Sequence, residues 1–400
     1  MLKQVAMSML AKQIRGVSYK PTDLHDTLDS ESVILLRANN IGDGLINFDD
    51  VVYVDKSKVS SEQYLRKGDI LICASSGSKT LVGKAAQIQF DGEYTFGAFC
   101  KVVRPIQISP DFLGMYFQSP SYRCLISNLA QGANINNIKN EHIDTLLVNT
   151  YDESTQNKFT SILNKVVSII RARRQQLTEL DTLVKARFVE MFGDPIDNPL
   201  GWPVRRLSEI CVLITNGNTP QGGSSNYVDR GILFLRSQNV WRNRIELDDV
   251  AYIDEATHKS MKKSSLHNRD ILITKTGRIN TENSSLGRSA LFTGEDDSAN
   301  INGHVYLVRI RDSALPEFVV QVLTGEPYRK YIRKVCVGGI DKRQINLDQV
   351  EGFPIIIPPM DIQREYTDFA AQVDKSKSLV QKALEEAQTL FDSLMQQYFG

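Results

Sequence analysis

Four hundred residues exceed what one hydrophobic core usually serves, so two or more domains are expected. With 47 Lys+Arg against 47 Asp+Glu the formal net charge is zero, so an anionic partner has to be met by local patches instead of a global field. Five scattered cysteines without a CxxC pair argue against a disulfide framework or a zinc site and suit a reducing cytoplasm, and no run approaches the roughly 20 apolar residues of a membrane span.

The opening MLKQVAMSMLAKQIRG is too brief and interrupted in its apolar run for a signal peptide. At Leu35–Asp55 the chain reads LLRANNIGDGLINFDDVVYVD. At Phe234–Asp254, 199 residues later, FLRSQNVWRNRIELDDVAYID repeats nine of the 21 positions, among them Arg37/Arg236, Asn40/Asn239, Asp49/Asp248 and Tyr53/Tyr252. GDILICASSG from Gly68 is echoed by RDILITKTGR from Arg269, and VGKAAQI by LGRSALF ending at Phe292. From Gly132 the offset settles at 207, matching Gly339, and it carries Gln156 to Gln363. A period of this size means duplicated domains, because solenoid units run to about 20–50 residues. Within each repeat, β-branched runs alternate with Gly/Asn/Ser/Asp clusters, the pattern of strands and turns.

Each repeat then ends in a long predicted helix. Asp152 to Phe192 contains neither proline nor glycine. Steps of three and four select Phe159, Leu163, Val166, Ile170, Arg173, Leu177, Leu180, Val184, Arg187 and Met191, eight of the ten apolar, which is a coiled-coil seam. The same register runs from Tyr366 to Tyr398 with Lys377 its one clearly polar member, while Arg173 is placed to fix register in the first seam. The fold expected is therefore mixed α/β (α+β): two similar globular domains joined by two long helices that pair antiparallel, relating the repeats by an approximate two-fold axis. The alternative is that each helix packs only on its own domain. IIRARRQQL, from Ile169, reads as a solvated or partner-facing flank.

At FVEMFGDPIDNPLGWPVRRLSEI the sequence resembles the central conserved region of the specificity (S) subunits of type I restriction–modification systems. LLRANNI and FLRSQNV, GDILI and RDILI, and IIIPPMDIQREY leading into the distal helix extend the resemblance over nearly the whole chain. It implies a target recognition domain at 1–150, a central conserved coiled-coil helix at 151–193, a second recognition domain at 194–358 and a distal conserved helix at 359–400. It further implies binding to double-stranded DNA, each domain reading one half of a bipartite site. The partners implied are two methyltransferase (M) subunits and, in the full complex, restriction (R) subunits. One departure stands out: Gln13-Ile14-Arg15-Gly16 matches Thr215-Asn216-Gly217 loosely, but Gly-Trp-Pro has no counterpart before it. The first domain is thus expected to lack an N-terminal strand, unless the sequence begins late.

Catalytic machinery is not found. IPPM at Ile357 is no Asn/Asp-Pro-Pro-aromatic loop for a flipped adenine, and no GxGxxG is present for a nucleotide cofactor. GSKTLVGKAA has five residues between its glycines and alanine after its lysine, which breaks a phosphate cradle. His25, His142, His258, His267 and His304 show no ligand spacing, and Asp49, Asp50, Asp248 and Asp249 suit a turn better than catalysis. The chain therefore reads as a non-catalytic recognition subunit without cofactor or metal. Two other classes remain open: a coiled-coil adaptor with two protein-binding modules, and a nuclease or methyltransferase with degenerate motifs.

DNA reading needs Lys/Arg for phosphates and Arg, Lys, Asn, Gln or Ser for base edges. The segments after the DILI strands supply Ser75, Ser76, Lys79 and Lys84 in the first repeat, and Lys275, Thr276, Arg278, Asn280 and Arg288 in the second. The turns before the late helices add Asn134, Asn136, Asn137 and Lys139, and Lys342, Arg343 and Gln344. Tyr328 to Arg343 holds six Lys/Arg against one Asp. Arg37/Arg236 and Asn40/Asn239, kept in both repeats while their neighbours differ, are expected to be scaffold; readers of different half-sites should differ.

Overall fold

The structure, a computed structural model, describes residues 3–42, 44–78, 80–129, 136–279, 281, 283–339 and 342–400; for Asn136 it gives the backbone alone. Its architecture is the mixed α+β one expected. The chain divides into two units: Met1–Gln176 with Val380–Gly400, and Leu177–Leu379.

In the first unit, Ala11–Arg15, Cys100–Pro105, Ile70–Cys73 and Ala85–Gln87 form a four-stranded antiparallel sheet in that order. Leu24–His25, Val52–Asp55, Ser32–Leu36 and Tyr94–Phe96 form a second sheet, in which the last pair is parallel. After Asp69 the strand Ile70–Cys73 is apolar at every position because it is buried on both faces. Ile70 and Ile72 enter one core with Phe112, Leu113 and Tyr122, while Leu71 and Cys73 enter another with Phe96 and Val102.

The second unit repeats the plan. Cys211–Asn216, Val305–Ile310, Ile271–Thr274 and Ser289–Leu291 form its antiparallel sheet. Ala251–Ile253, Ile232–Leu235 and Ala299–Ile301 form the other. Gly16 and Gly217 prove equivalent, as the loose match suggested. A Cβ would lie 2.1 Å from the Gly97 carbonyl oxygen at Gly16 and 2.2 Å from that of Ile301 at Gly217, so only glycine fits. The expectation of a missing first strand is corrected. Lys3–Ala6 pairs antiparallel with Leu147–Thr150, as Val204–Arg206 pairs with Pro354–Ile356.

The repeated sentence is scaffold. Asn40 is 1 % and Asn239 2 % exposed. Asn40 Oδ1 accepts from the Arg37 backbone N–H (2.7 Å), and its Nδ2 donates to the carbonyls of Asn47 and Asp50 (2.9 Å each). Asn239 does the same with Arg236 N–H (2.9 Å) and the carbonyls of Glu246 (3.0 Å) and Asp249 (2.8 Å). The arginines close the loops through Asp50 (2.9 Å) and Asp249 (3.0 Å), the turn role expected for these carboxylates.

The long helices are Glu153–Phe192 and Met360–Phe399, forty residues each. In each unit their segments run antiparallel. In the first, Phe159 stacks on Tyr398 at 3.8 Å, and the Tyr151 hydroxyl donates to the Tyr398 carbonyl (3.2 Å). In the second, Lys377 pairs with Asp181 (2.6 Å) and Arg187 with Glu365 (2.6 Å), and Phe188 meets Tyr366 edge-on. The alternative of helices packed only on their own domains is thereby excluded. Arg173 bonds Gln176 of its own helix (2.9 Å), while the seam residues Lys377 and Arg187 bond carboxylates of the facing helix.

Gln156 and Gln363, paired by the offset of 207, tie each helix start to its unit. Gln156 accepts from Ser109 N–H (3.0 Å) and donates to Tyr151 C=O (2.7 Å); Gln363 accepts from Leu315 N–H (3.0 Å) and donates to Pro358 C=O (2.8 Å). Gln363 is fully buried, so Gln363→Ala strands two backbone groups and is expected to destabilise the second unit by about 1–3 kcal/mol. Chemical denaturation checks this; an unmoved midpoint would show the clamp to be idle.

Candidate nucleic-acid interface

After each DILI strand the chain leaves the main sheet and makes a short second pairing. In the first unit Ser75 lies opposite Asn137 and Ser76 opposite Asn136; in the second, Thr276 lies opposite Gln344 and Gly277 opposite Arg343. The two pairings are equivalent residue for residue, with backbones alike and side chains different. Val337–Gly338 adds a third strand in the second unit.

The predicted residues gather unevenly. Thr276, Arg278, Arg288 and Lys342 line one depression of about 670 Å³ with Gln238 and Trp241. Arg278, Lys342 and Gln344 are exposed. Gln344 donates to Asn346 Oδ1 (3.0 Å), and the Arg343 guanidinium turns back onto the Gly339 carbonyl (3.0 Å). The Lys275 ammonium sits 5.7 Å over the ring of Tyr306, whose buried hydroxyl donates to Ile345 C=O (2.9 Å) and is pushed up to about 12 by desolvation. Arg288 faces inward: it is 8 % exposed and donates to the carbonyls of Ser284 (3.1 Å) and Asn283, which makes it a support for this surface.

In the first unit Ser75 and Ser76 are half-buried, while Asn137 and Lys139 are exposed. Ser76 Oγ accepts from Ser78 N–H (3.1 Å), and Lys139 pairs with Glu141 (3.2 Å). Lys84 is half-buried, its backbone carbonyl accepting from Cys73 N–H (2.8 Å). Lys79, Asn134 and Asn280 lie outside the described residues.

Sequence reasoning missed Gln238, Trp241 and Phe99. Phe99 is 72 % exposed, and its carbonyl accepts from the N–H groups of Ala74 (2.9 Å) and Ser75 (3.0 Å), which sets an aromatic ring beside the first pairing. The His304 carbonyl accepts from Lys275 N–H (2.8 Å) at the matching place. The available signal was difference: Trp241 stands opposite Gly42 in the repeat, and Phe99 opposite His304.

Among the described residues no group of three or more His, Cys, Asp or Glu could hold a metal ion. Burial pushes the thiols of Cys73 and Cys100 up, and that of Cys211 up to about 12, the wrong direction for a nucleophile. No described helix is long and apolar enough to cross a membrane.

Comparison with known proteins gives a consistent result. Residues 199–389 match the type I restriction modification DNA specificity domain. The chain is 28 % identical over 408 residues to the type I restriction enzyme StySPI specificity subunit of Salmonella potsdam, covering 98 % of this chain and 86 % of that one. It is 25 % identical over 412 residues to the EcoKI specificity subunit of Escherichia coli strain K12, covering 98 % and 87 %. In fold it is similar to the type I restriction–modification S subunit from M. genitalium, with a TM-score of 0.59 at 13 % identity over 100 % of this chain and 96 % of that one. A chain of the type I R-M system solved for its complex assembly and conformational transition gives a TM-score of 0.58 at 18 % identity, covering 100 % and 97 %.

Proposed function

Because the chain belongs to the family of type I restriction–modification specificity subunits, we propose that it is a non-catalytic DNA-recognition subunit whose two lobes each read one half of a bipartite duplex site. The observation that carries this is the short strand pairing built twice in one register with different side chains: Ser75-Ser76 against Asn136-Asn137, and Thr276-Gly277 against Arg343-Gln344. A common frame with unlike letters is what two different half-sites require. The Lys, Arg, Asn and Ser side chains predicted from the sequence supply the phosphate and base-edge contacts from this frame and its flanks.

The paired helices act as spacer and as docking surface for two methyltransferase subunits, with restriction subunits joining in the full complex, all in the cytoplasm. Support for docking comes from apolar side chains left in solvent on these helices. Ile169 is 48 %, Leu183 47 %, Val189 62 %, Leu379 72 % and Leu390 50 % exposed, apolar area that a docked partner would bury. Chemistry on the DNA then belongs to the partners.

Reconstituted with its methyltransferase subunits, the chain is expected to bind a split duplex site with log K falling linearly against log salt. Mapping of methylated adenines with and without the chain identifies the site. Partners that methylate the same positions in its absence would overturn the assignment.

A further inference from the structure

One phenyl ring of the first lobe stands almost free in solvent. Phe99 is 72 % exposed, whereas the partly exposed Phe48 packs against Phe90 and Tyr94 with ring centroids 5.1 and 5.5 Å away. Exposure alone says little, since single apolar side chains dot every protein surface. The place of this one says more.

Phe99 belongs to a turn closed by the Cys100 N–H on the Gly97 carbonyl (2.8 Å). Gly97 donates to the Leu36 carbonyl (2.9 Å) and lies against Gly16, where a Cβ would come within 2.1 Å of its carbonyl oxygen. The Phe99 carbonyl in turn accepts from Ala74 and Ser75 N–H, and Ser75 is the residue opposite Asn137 in the short strand pairing. The turn is therefore fixed both to the scaffold and to the candidate reading frame. The second lobe builds it again, with Val305 N–H on the Asn302 carbonyl (3.0 Å), Asn302 N–H on that of Leu235 (3.0 Å) and Lys275 N–H on that of His304 (2.8 Å). Every one of these bonds runs between backbone groups, so the fold asks nothing of the side chain at this place. The first lobe fills it with a phenyl ring and the second with an exposed imidazole.

We propose that Phe99 is a specificity-determining residue of the first lobe, its ring packing on the 5-methyl group of a thymine in that lobe's half-site. This rests on the reading of the chain as a DNA-recognition subunit. The thymine methyl is the apolar feature that base pairs present in the major groove, and a phenyl ring has no donor or acceptor for the other edges. Beside Ser75 and Asn137, whose polar groups suit those edges, the ring extends the surface to the feature they cannot hold. Because its turn is already fixed, little ordering cost falls on binding. His304, with ring nitrogens that donate and accept, suits a polar edge instead, as a different half-site requires.

Replacing the thymines of the mapped target by deoxyuridine, one at a time, removes a single methyl group from each duplex. The full chain reconstituted with its methyltransferase subunits is expected to lose about fourfold in affinity at one thymine of one half-site, the worth of one methyl-sized group kept from water. Phe99→Ala should abolish that sensitivity while the slope of log K against log salt stays as it was, because no phosphate contact is lost. Phe99→Leu, still apolar, should keep part of it. A wild-type complex indifferent to every thymine methyl overturns the proposal, and so does a Phe99→Ala complex with the full deoxyuridine loss. Weaker assembly of Phe99→Ala with the methyltransferase subunits in the absence of DNA would make the ring a protein contact and overturn it too. If the unmutated chain with its partners binds no duplex at all, the recognition-subunit reading itself falls, and this contact with it.

Discussion

Arg309→Met is expected to cost the second lobe about 3 kcal/mol and to lower its melting by roughly 5–10 °C. Asp270 is 1 % exposed and receives Arg309 through two nearly parallel bonds, Nε to Oδ1 and Nη2 to Oδ2, each 2.7 Å. Removing the guanidinium leaves a carboxylate buried with only the His267 N–H (2.7 Å) as a described hydrogen-bond donor to its side chain. The loss therefore comes from an uncompensated charge more than from the attraction given up. The double variant Asp270→Leu/Arg309→Met should recover part of the stability, since no charge remains to be stranded. Differential scanning calorimetry of the three proteins checks both statements. An Arg309→Met protein melting with the wild type would show the pair to be peripheral to the lobe. The first lobe carries the same device, Asp69 with Arg104 (2.8 and 2.7 Å), and the matching Arg104→Met change should act on that lobe.

Exchanging residues 1–150 for the corresponding domain of a relative is expected to replace one half of the methylated sequence and leave the other half and the spacing untouched. The expectation follows from the first lobe's own version of the strand pairing, Ser75-Ser76 with Asn136-Asn137, and from a core that takes from outside 1–150 only long-helix residues such as Leu163, Met395 and Phe399. Modified adenines mapped across a genome give the outcome directly. Alteration of both halves would contradict independent reading by the two lobes.

Much of this molecule is legible from the sequence because duplication acts as an internal control. Where both copies keep a residue amid changing neighbours, as at Asn40/Asn239, the structure shows a buried side chain bonded to backbone. The apolar seams are legible because helical periodicity is local, and the structure pairs them antiparallel within each unit. Contacts that depend on distant segments stayed hidden. The strand Lys3–Ala6 shares no obvious letters with Val204–Arg206, and its partner lies some 145 residues on, so nothing nearby announced it. Asp69 and Arg104 stand 35 residues apart, and Asp270 and Arg309 stand 39 apart.

The hydrogen bonds that Asn40 and Asn239 donate end on main-chain carbonyls, at Asn47 and Asp50 and at Glu246 and Asp249. Every amino acid, proline included, offers that oxygen. These anchors are thus blind to what the anchored residues are, and a mutation that rewrites an outward side chain in the loop leaves the strut in place. Support and vocabulary are held by separate atoms, so the lobe can acquire a new address without first having to survive a loss of shape.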